Sequence, residues 1–229
     1  MDVDLSKALE DLFMAGQALR YSKGDIVMRG DEEVTQVCYI GKGHVKIYSI
    51  NDQGDEYIHI IYKTGDIFPL IQIFNQSAPR RIFYEALDSS VVWKLPKEKF
   101  LDYIKSNSNT ATYALLSQLA DQFNIFADRL DNLEYRTAYE RVVYRLLFLA
   151  GRFGRQIDKG LLIDAPITHK IIANSINLSR ESVSREMEKL QADNLITAVK
   201  GRIVIKDIKR LSQGFSEPVS TDLWGLKTN

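Results

Sequence analysis

The chain has 229 residues, with 30 basic and 30 acidic side chains and a formal net charge of zero. This length has room for two domains, and the composition is that of an ordinary globular protein rather than a disordered or fibrous one. No apolar stretch reaches the length of a transmembrane helix, and the acidic start is unlike a signal peptide. We therefore expect a cytoplasmic protein with no membrane partner.

Cys38 is the only cysteine, which excludes an intrachain disulfide, a cysteine-based zinc site and an iron–sulfur cluster held by one chain. The histidines His44, His59 and His169 show no metal-ligand spacing. No nucleophile–base set, paired-carboxylate motif or phosphate-binding glycine loop stands out, so an enzyme has the least support. We expect no metal site and no iron–sulfur cofactor.

The zero net charge hides an asymmetry between the two parts of the chain. Residues 1–136 carry 15 lysines and arginines against 20 aspartates and glutamates, and residues 137–229 carry 15 against 10. A basic C-terminal half behind an acidic N-terminal half is typical of a nucleic-acid-binding module that follows a regulatory one.

The N-terminal part reads as a short helix over 5–14 followed by regularly spaced short strands. Glycines recur about every eleven residues from Gly24 to Gly65. The β-rich runs between and after them are Asp25–Met28, Gln36–Ile40, His44–Ile50, Glu56–Tyr62, Arg81–Leu87 and Ser90–Leu95. Such a pattern predicts a β-sandwich or closed roll. A helix should open at Pro96 and lead into the central one.

A long helix over 109–136 carries apolar residues at alternating spacings of three and four. They are Leu116, Leu119, Phe123, Phe126, Leu130 and Leu133. This is the a/d pattern of a coiled-coil seam, which favours a parallel homodimer. The alternative is an amphipathic helix packed on its own domain, whose apolar face is usually broader.

The far end of this helix is marked by a capping box. The Thr137 hydroxyl can accept from the amide three residues on, and the Glu140 side chain can reach back. We therefore expect a new helix from Thr137 and a hinge at the junction. Residues 151–160 are predicted to be a loop.

The C-terminal part reads as a winged helix-turn-helix. Thr168 and Ser179 are candidate caps of two short helices, and Asn177 between them tolerates a left-handed turn. A β-hairpin around Lys200-Gly201 would form the wing. Residues 213–229 show no periodicity and are predicted to be a tail held by Trp224.

The second short helix exposes Arg180, Glu181, Ser184 and Arg185 near its start. Arginine can donate two bonds to guanine, and glutamate can accept from cytosine. The short polar groups of Thr168, Ser179 and Ser182 suit phosphate contacts, with Lys200 and Arg202 adding charge from the wing. The alternative is that the charged residues form only a solvated surface.

Residues 18–210 resemble the Crp/Fnr family of bacterial transcription regulators. The segment from Ser179 to Arg185 is very similar to the recognition helix of the cyclic-AMP-responsive members. The resemblance implies that Arg180 and Arg185 read guanines and Glu181 a cytosine. It also implies a homodimer that binds a palindrome in double-stranded DNA and contacts RNA polymerase.

The resemblance implies an α+β fold with four parts. They are a jelly-roll sensor domain over 1–108, a dimerisation helix over 109–136, a winged helix-turn-helix over 137–212 and a tail over 213–229. The competing hypothesis is a cyclic-nucleotide or other anionic small-molecule sensor without sequence-specific DNA binding. The expected regulator is an activator or a repressor.

The predicted effector pocket departs from the cyclic-AMP pattern of the family. Where those members have Phe-Gly-Glu, this chain has Phe68, Pro69 and Leu70, so the ribose-binding acid is missing. Arg80 matches the phosphate-binding arginine, but Arg81 replaces the following Ser or Thr, and the adenine-contacting pair reads Phe126-Ala127. We expect cyclic AMP to bind weakly or not at all. Arg80 inside the roll would need an internal carboxylate or an anionic effector.

Overall fold

The computed structural model describes residues 2–74, 81–106, 108–215 and 225–226. The chain divides into two compact units, Met1–Phe126 and Ala127–Asn229. The first is built mainly of strands with helices at either end, and the second mainly of helices with one small sheet. The expected α+β class is confirmed.

The first unit contains two antiparallel four-stranded sheets. Its strands are, in chain order, Gln17–Tyr21 (β1), Ile26–Arg29 (β2), Gln36–Lys42 (β3), Val45–Ile50 (β4), Glu56–Tyr62 (β5), Ile67–Phe68 (β6), Ile82–Ala86 (β7) and Ser90–Pro96 (β8). One sheet has the order β1-β8-β3-β6 and the other β2-β7-β4-β5. Each predicted strand is present, whereas β1 and β6 were not predicted.

Helices pack against the first of these sheets. They are Asp2–Met14 (α1), Leu70–Phe74 (α2), Lys97–Ser106 (α3) and Ser108–Glu134 (α4). The ring of Phe13 on α1 stacks on Tyr39 at 5.4 Å between centroids and meets Phe100 on α3 at 5.9 Å. Leu115 of α4 joins the same buried cluster. This apolar cluster fixes the first half of α4 against the sheet.

The predicted seam of α4 divides into two sets. Leu116, Phe123 and Leu130 are 57%, 72% and 63% exposed. The alternating positions are half-buried, and the first of them, Leu119, packs against the core cluster of its own unit. Leu119 therefore already has apolar partners within its own unit, so the six residues do not form one uniformly exposed face. None of the described helices is long and apolar enough to cross a membrane.

After the end of α4, the second unit has four further helices and one four-stranded sheet among its described residues. Its elements are Ala138–Phe153 (α5), Gly154–Ile157 (β9), Gly160–Ile163 (β10), His169–Ile176 (α6), Arg180–Ala192 (α7), Ile196–Val199 (β11), Arg202–Ile205 (β12) and Ile208–Ser212 (α8). The sheet order is β11-β12-β10-β9, so the predicted wing is the outer hairpin of a larger sheet.

The predicted capping box at Thr137 is confirmed. Its Oγ1 accepts from the Glu140 amide at 3.1 Å, and the Thr137 amide donates to Glu140 Oε2 at 3.3 Å. The loop predicted over 151–160 is wrong. Helix α5 continues to Phe153, which is buried, and β9 and β10 pair as a hairpin. Trp224 lies outside the described residues, and Phe215 instead packs on Tyr135 at 5.3 Å.

Candidate functional site

Helices α6 and α7 are held by local caps and a tight turn. The Thr168 Oγ1 accepts from the Ile171 amide at 3.2 Å, which caps α6. Asn177 has the left-handed backbone expected of it, with φ 54° and ψ 47°. The Ser179 Oγ accepts from the Ser182 amide at 3.1 Å and caps α7. All three sequence predictions are confirmed, and together they fix where α7 begins.

The first turns of α7 present the charged residues predicted to read DNA bases. Arg180, Glu181 and Arg185 are exposed, while Val183 and Met187 of the same helix are fully buried. Among the described residues, none of the three exposed side chains forms an ion pair. The contact of Arg185 is a weak bond from its Nη2 to Ser182 Oγ at 3.4 Å. The charges are thus available to a partner and do not neutralise one another.

The wing places two further basic residues beside α6 and α7. Lys200 and Gly201 have positive φ angles of 51° and 74°, a left-handed turn that leaves Lys200 exposed. Arg202 and Thr168 line one cleft of about 250 Å³. The Arg202 Nη1 is buried there, with no hydrogen-bond acceptor in the described part of the chain. The structure thus brings together a hydroxyl and a guanidinium suited to a phosphate group.

Ser184 was predicted to contact DNA, but its hydroxyl is hydrogen-bonded to a side chain of the same unit. Its Oγ lies 2.8 Å from the Nδ1 of His169 at the start of α6. This bond joins α6 to α7 on the face that carries Arg180 and Arg185. Sequence reasoning treated His169 only as a histidine without ligand spacing, and its place directly after the Thr168 cap was the available indication.

The candidate effector residues Phe68, Pro69 and Leu70 are all buried. Phe68 of one sheet stacks on both Tyr84 and Tyr62 of the other, at 5.0 and 5.2 Å between ring centroids, and the two tyrosines lie 6.4 Å from each other. The Tyr84 hydroxyl donates to Gln72 Oε1 at 3.2 Å. Burial raises its pKa well above the ordinary value. Aromatic side chains therefore join the two sheets at this position.

Leu70 belongs to the apolar core cluster beneath α4. Burial also raises the pKa of the neighbouring Cys38 thiol to about 12, so it remains protonated. Within the described residues, no group of three or more histidine, cysteine, aspartate or glutamate side chains could hold a metal ion. The surroundings of these positions are apolar and aromatic.

Two arginines that directly precede β7 were candidates for the effector pocket. Arg80 lies outside the described residues. Arg81 is a correction: its side chain is 74% exposed and lies 3.5 Å from Asp52, so it does not line a pocket. A guanidinium without a buried partner is more stable in water. Phe126 and Ala127 are half-buried on α4.

Two glutamines that sequence reasoning passed over connect α4 to β6. The Gln118 Nε2 donates to the Gly65 carbonyl at 3.0 Å. The Gln122 Nε2 donates to the Ile67 carbonyl at the same distance. Strand β6 lies at the edge of its sheet, and these side chains supply hydrogen bonds that a neighbouring strand would otherwise provide. They hold the backbone next to Phe68 against the helix.

Each of the two units contains a region that matches a known domain family. Residues 18–107 match the family described as the cyclic nucleotide-binding domain, and residues 140–213 match the Crp-like helix-turn-helix domain. The chain belongs to the Crp/Fnr family. Its relatives in that family are transcription regulators rather than enzymes.

Curated Crp/Fnr relatives cover most of the chain at low identity. The chain is 26% identical over 183 residues to electron transport regulator A of Shewanella oneidensis, covering 80% of this chain and 72% of that protein. It is 27% identical over 187 residues to the cAMP-activated global transcriptional regulator CRP of Salmonella typhimurium, covering 80% and 86%. The structure of FixK2 from Bradyrhizobium japonicum shares the fold, with a TM-score of 0.74, 22% identity and coverage of 86% and 96%.

As a Crp/Fnr protein, this chain is a transcription regulator that binds DNA through its helix-turn-helix. The capped α6–α7 pair lies inside the matched helix-turn-helix region. The cyclic nucleotide-binding region includes Phe68, Pro69 and Leu70, where this chain has an apolar core. The exposed first turn of α7 and the apolar interior of the first unit therefore lie in two different matched regions.

Proposed function

We propose that this Crp/Fnr regulator is a cytoplasmic, non-enzymatic homodimer that recognises a specific palindromic operator. In this proposal Arg180 and Arg185 contact guanines and Glu181 contacts cytosine, while Ser184 supports them through His169. Thr168, Ser179, Ser182, Lys200 and Arg202 contact the phosphate backbone. The proposed domain organisation is a sensor over 1–108, a dimerisation helix over 109–136, a DNA-binding domain over 137–212 and a tail over 213–229.

The observation that carries this proposal is the exposed N-terminal turn of α7. Its three charged side chains form no ion pair in the described part of the chain, and the Ser179 cap holds the turn in place. A helix that enters the major groove presents its first residues to base edges. Charges needed only for solubility would gain by pairing across neighbouring turns, as Glu181 and Arg185 do not.

The exposed residues of α4 support the homodimer. Leu116, Phe123 and Leu130 repeat every seven residues and are all more than half exposed. Large exposed side chains in a heptad pattern gain stability by packing on a second helix of the same kind. A two-fold dimer would present two copies of α7 to two half-sites, which explains why the operator should be a palindrome. Contact with RNA polymerase follows from the family and is part of the proposal.

We further propose that cyclic AMP is not bound in the manner of the cyclic-AMP-activated relatives. Leu70 and Pro69 are buried in apolar surroundings, and no side chain at these positions can donate to or accept from a ribose hydroxyl. If the roll has an effector, Arg80 remains the residue suited to an anionic group. A thermal-shift titration should show no rise in melting temperature with cyclic AMP. Saturable stabilisation at micromolar cyclic AMP would contradict this.

The DNA-binding proposal is tested by selection from random duplexes followed by quantitative binding. Selected sites should contain a guanine-bearing palindrome with half-site centres about 10–10.5 base pairs apart. Lys200→Ala provides a matched comparison, because it should weaken binding to every sequence and reduce the salt dependence without changing the selected sequence. Failure to enrich any sequence, with equal affinity for all duplexes, would overturn the proposal.

A further inference from the structure

Arg145 is a buried charge in the second unit that DNA recognition does not use. The residue is 3% exposed on α5, and its guanidinium carbon lies 4.7 Å from the centre of the Phe148 ring. Its Nε atom is buried with no hydrogen-bond acceptor among the described residues. An aromatic face attracts a cation but accepts none of the five N–H bonds that a guanidinium can donate.

Arg129, on the neighbouring helix α4, is a second arginine with a buried Nε that has no acceptor in the part of the chain that the structure describes. Its Nη2 donates to Asn177 Oδ1 at 3.3 Å, at the turn between α6 and α7. That bond uses the carbonyl oxygen of the Asn177 amide, whose nitrogen carries two further donors.

Helices α4 and α5 bring the two arginines near enough for the charge of Arg129 to act on Arg145. The residue before each arginine takes part in one hydrogen bond, from the Tyr144 hydroxyl to Asp128 Oδ1 at 3.2 Å. One turn further along α4, the side-chain Nδ2 of Asn132 donates to the backbone carbonyl of Arg141 at 2.9 Å. Arg129 and Arg145 therefore lie in the region where α4, α5 and the α6–α7 turn converge, which we call the arginine junction.

The electrostatics of the junction are unfavourable without an anion. Burial, with the like charges of Arg129 and Arg152, lowers the pKa of Arg145 to about 9, and Asp128 opposes this more weakly. Burial likewise lowers the pKa of Arg129. Burying a cation without hydrogen-bonded compensation is strongly unfavourable, and an anion bound by the two guanidinium groups would remove much of that cost.

We propose that the arginine junction binds a small oxoanion of the size of inorganic phosphate, held by the guanidinium groups of Arg145 and Arg129. Guanidinium N–H pairs match the oxygen spacing of phosphate and sulfate. The near-complete burial of Arg145 favours a small free anion over a phosphate of the DNA backbone. The Asn177 amide links this site to the α6–α7 turn, so occupancy would stiffen the helix-turn-helix from behind its DNA-binding face.

The test compares the melting temperature of the full-length protein in phosphate and in chloride at equal ionic strength and pH. The wild type should show a saturating rise, roughly 5 °C when phosphate exceeds its dissociation constant about a hundredfold. Sulfate should act in the same way. Arg145→Met should abolish the response, and in chloride it should melt at or above the wild-type temperature, because it replaces an unpaired buried charge by an apolar chain.

Two controls keep the interpretation independent of folding. Arg155→Met removes an exposed arginine of the same unit that pairs with Asp164, and it should retain the full phosphate response. Arg145→Lys keeps the charge but loses the paired donors, so its phosphate affinity should fall without vanishing. Equal phosphate responses in the wild type and Arg145→Met, or none in the wild type beyond that of chloride, would overturn the site. Neither result depends on DNA binding.

Discussion

Replacing Phe123 by alanine should weaken the proposed dimer, and the size of the effect follows from the exposed area. Full burial of a phenylalanine side chain contributes about 1.5–3 kcal/mol. Phe123 is 72% exposed. Burying that exposed part in a dimer interface would contribute roughly 1–2 kcal/mol per subunit on the same scale. Two-fold symmetry counts the residue twice, giving about 2–4 kcal/mol, or a roughly 30- to 1,000-fold rise in the dimer dissociation constant.

Sedimentation equilibrium over a wide concentration range measures that constant directly. Asn124→Ala is the matched control, because Asn124 is the exposed neighbour of Phe123 on α4 but lies outside the heptad pattern. Its dissociation constant should stay near that of the wild type. A charged replacement, Leu130→Asp, should give monomers that lose high-affinity operator binding. Equal dissociation constants for Phe123→Ala and the wild type would refute the assignment of this face to the dimer.

Three further variants test the fold around the two sites, each by urea unfolding. Thr137→Ala removes the capping hydroxyl and should cost about 1 kcal/mol of unfolding free energy; an unchanged midpoint would contradict this. Gln122→Leu leaves the buried Ile67 carbonyl without that donor and should cost about 1–3 kcal/mol, a reasoning that an equally stable variant would refute. Burial raises the pKa of Asp88, but its hydrogen bonds with His44 outweigh burial and hold it below 3.8. The Asp88 carboxylate therefore stabilises the fold above that pH and loses this contribution as the pH falls further. Asp88→Asn should flatten that acid loss, and parallel pH profiles would show that the pair contributes nothing.

The helix caps could be predicted from sequence because each is a local interaction. Thr137, Thr168 and Ser179 each meet an amide three residues along the chain, so the evidence for the cap lies within four residues. The left-handed turn at Asn177 is local in the same sense. The recognition turn of α7 was predictable on this basis, since its cap and its buried valine follow one another in sequence.

The features that were missed depend on partners distant in sequence. The β9–β10 hairpin is local, but β10 also pairs with β12, some forty residues later, and that pairing joins the hairpin to the rest of the sheet. The 3-4 spacing on α4 predicts one continuous face, whereas Leu119 packs on the core of its own unit. Gln122 and Arg145 look like ordinary polar positions on helices. Their roles become visible only when the packed neighbours are known.

The central claim, that the first turn of α7 reads bases, is tested most directly by one comparison of affinities. Arg180→Ala should lose roughly 5- to 150-fold in affinity for the selected palindrome, corresponding to about 1–3 kcal/mol, while its affinity for random duplexes changes little. Fluorescence anisotropy at fixed salt concentration measures both affinities on the same preparation. An equal loss on selected and random DNA would mean that Arg180 contacts only the phosphate backbone, and would contradict the claim.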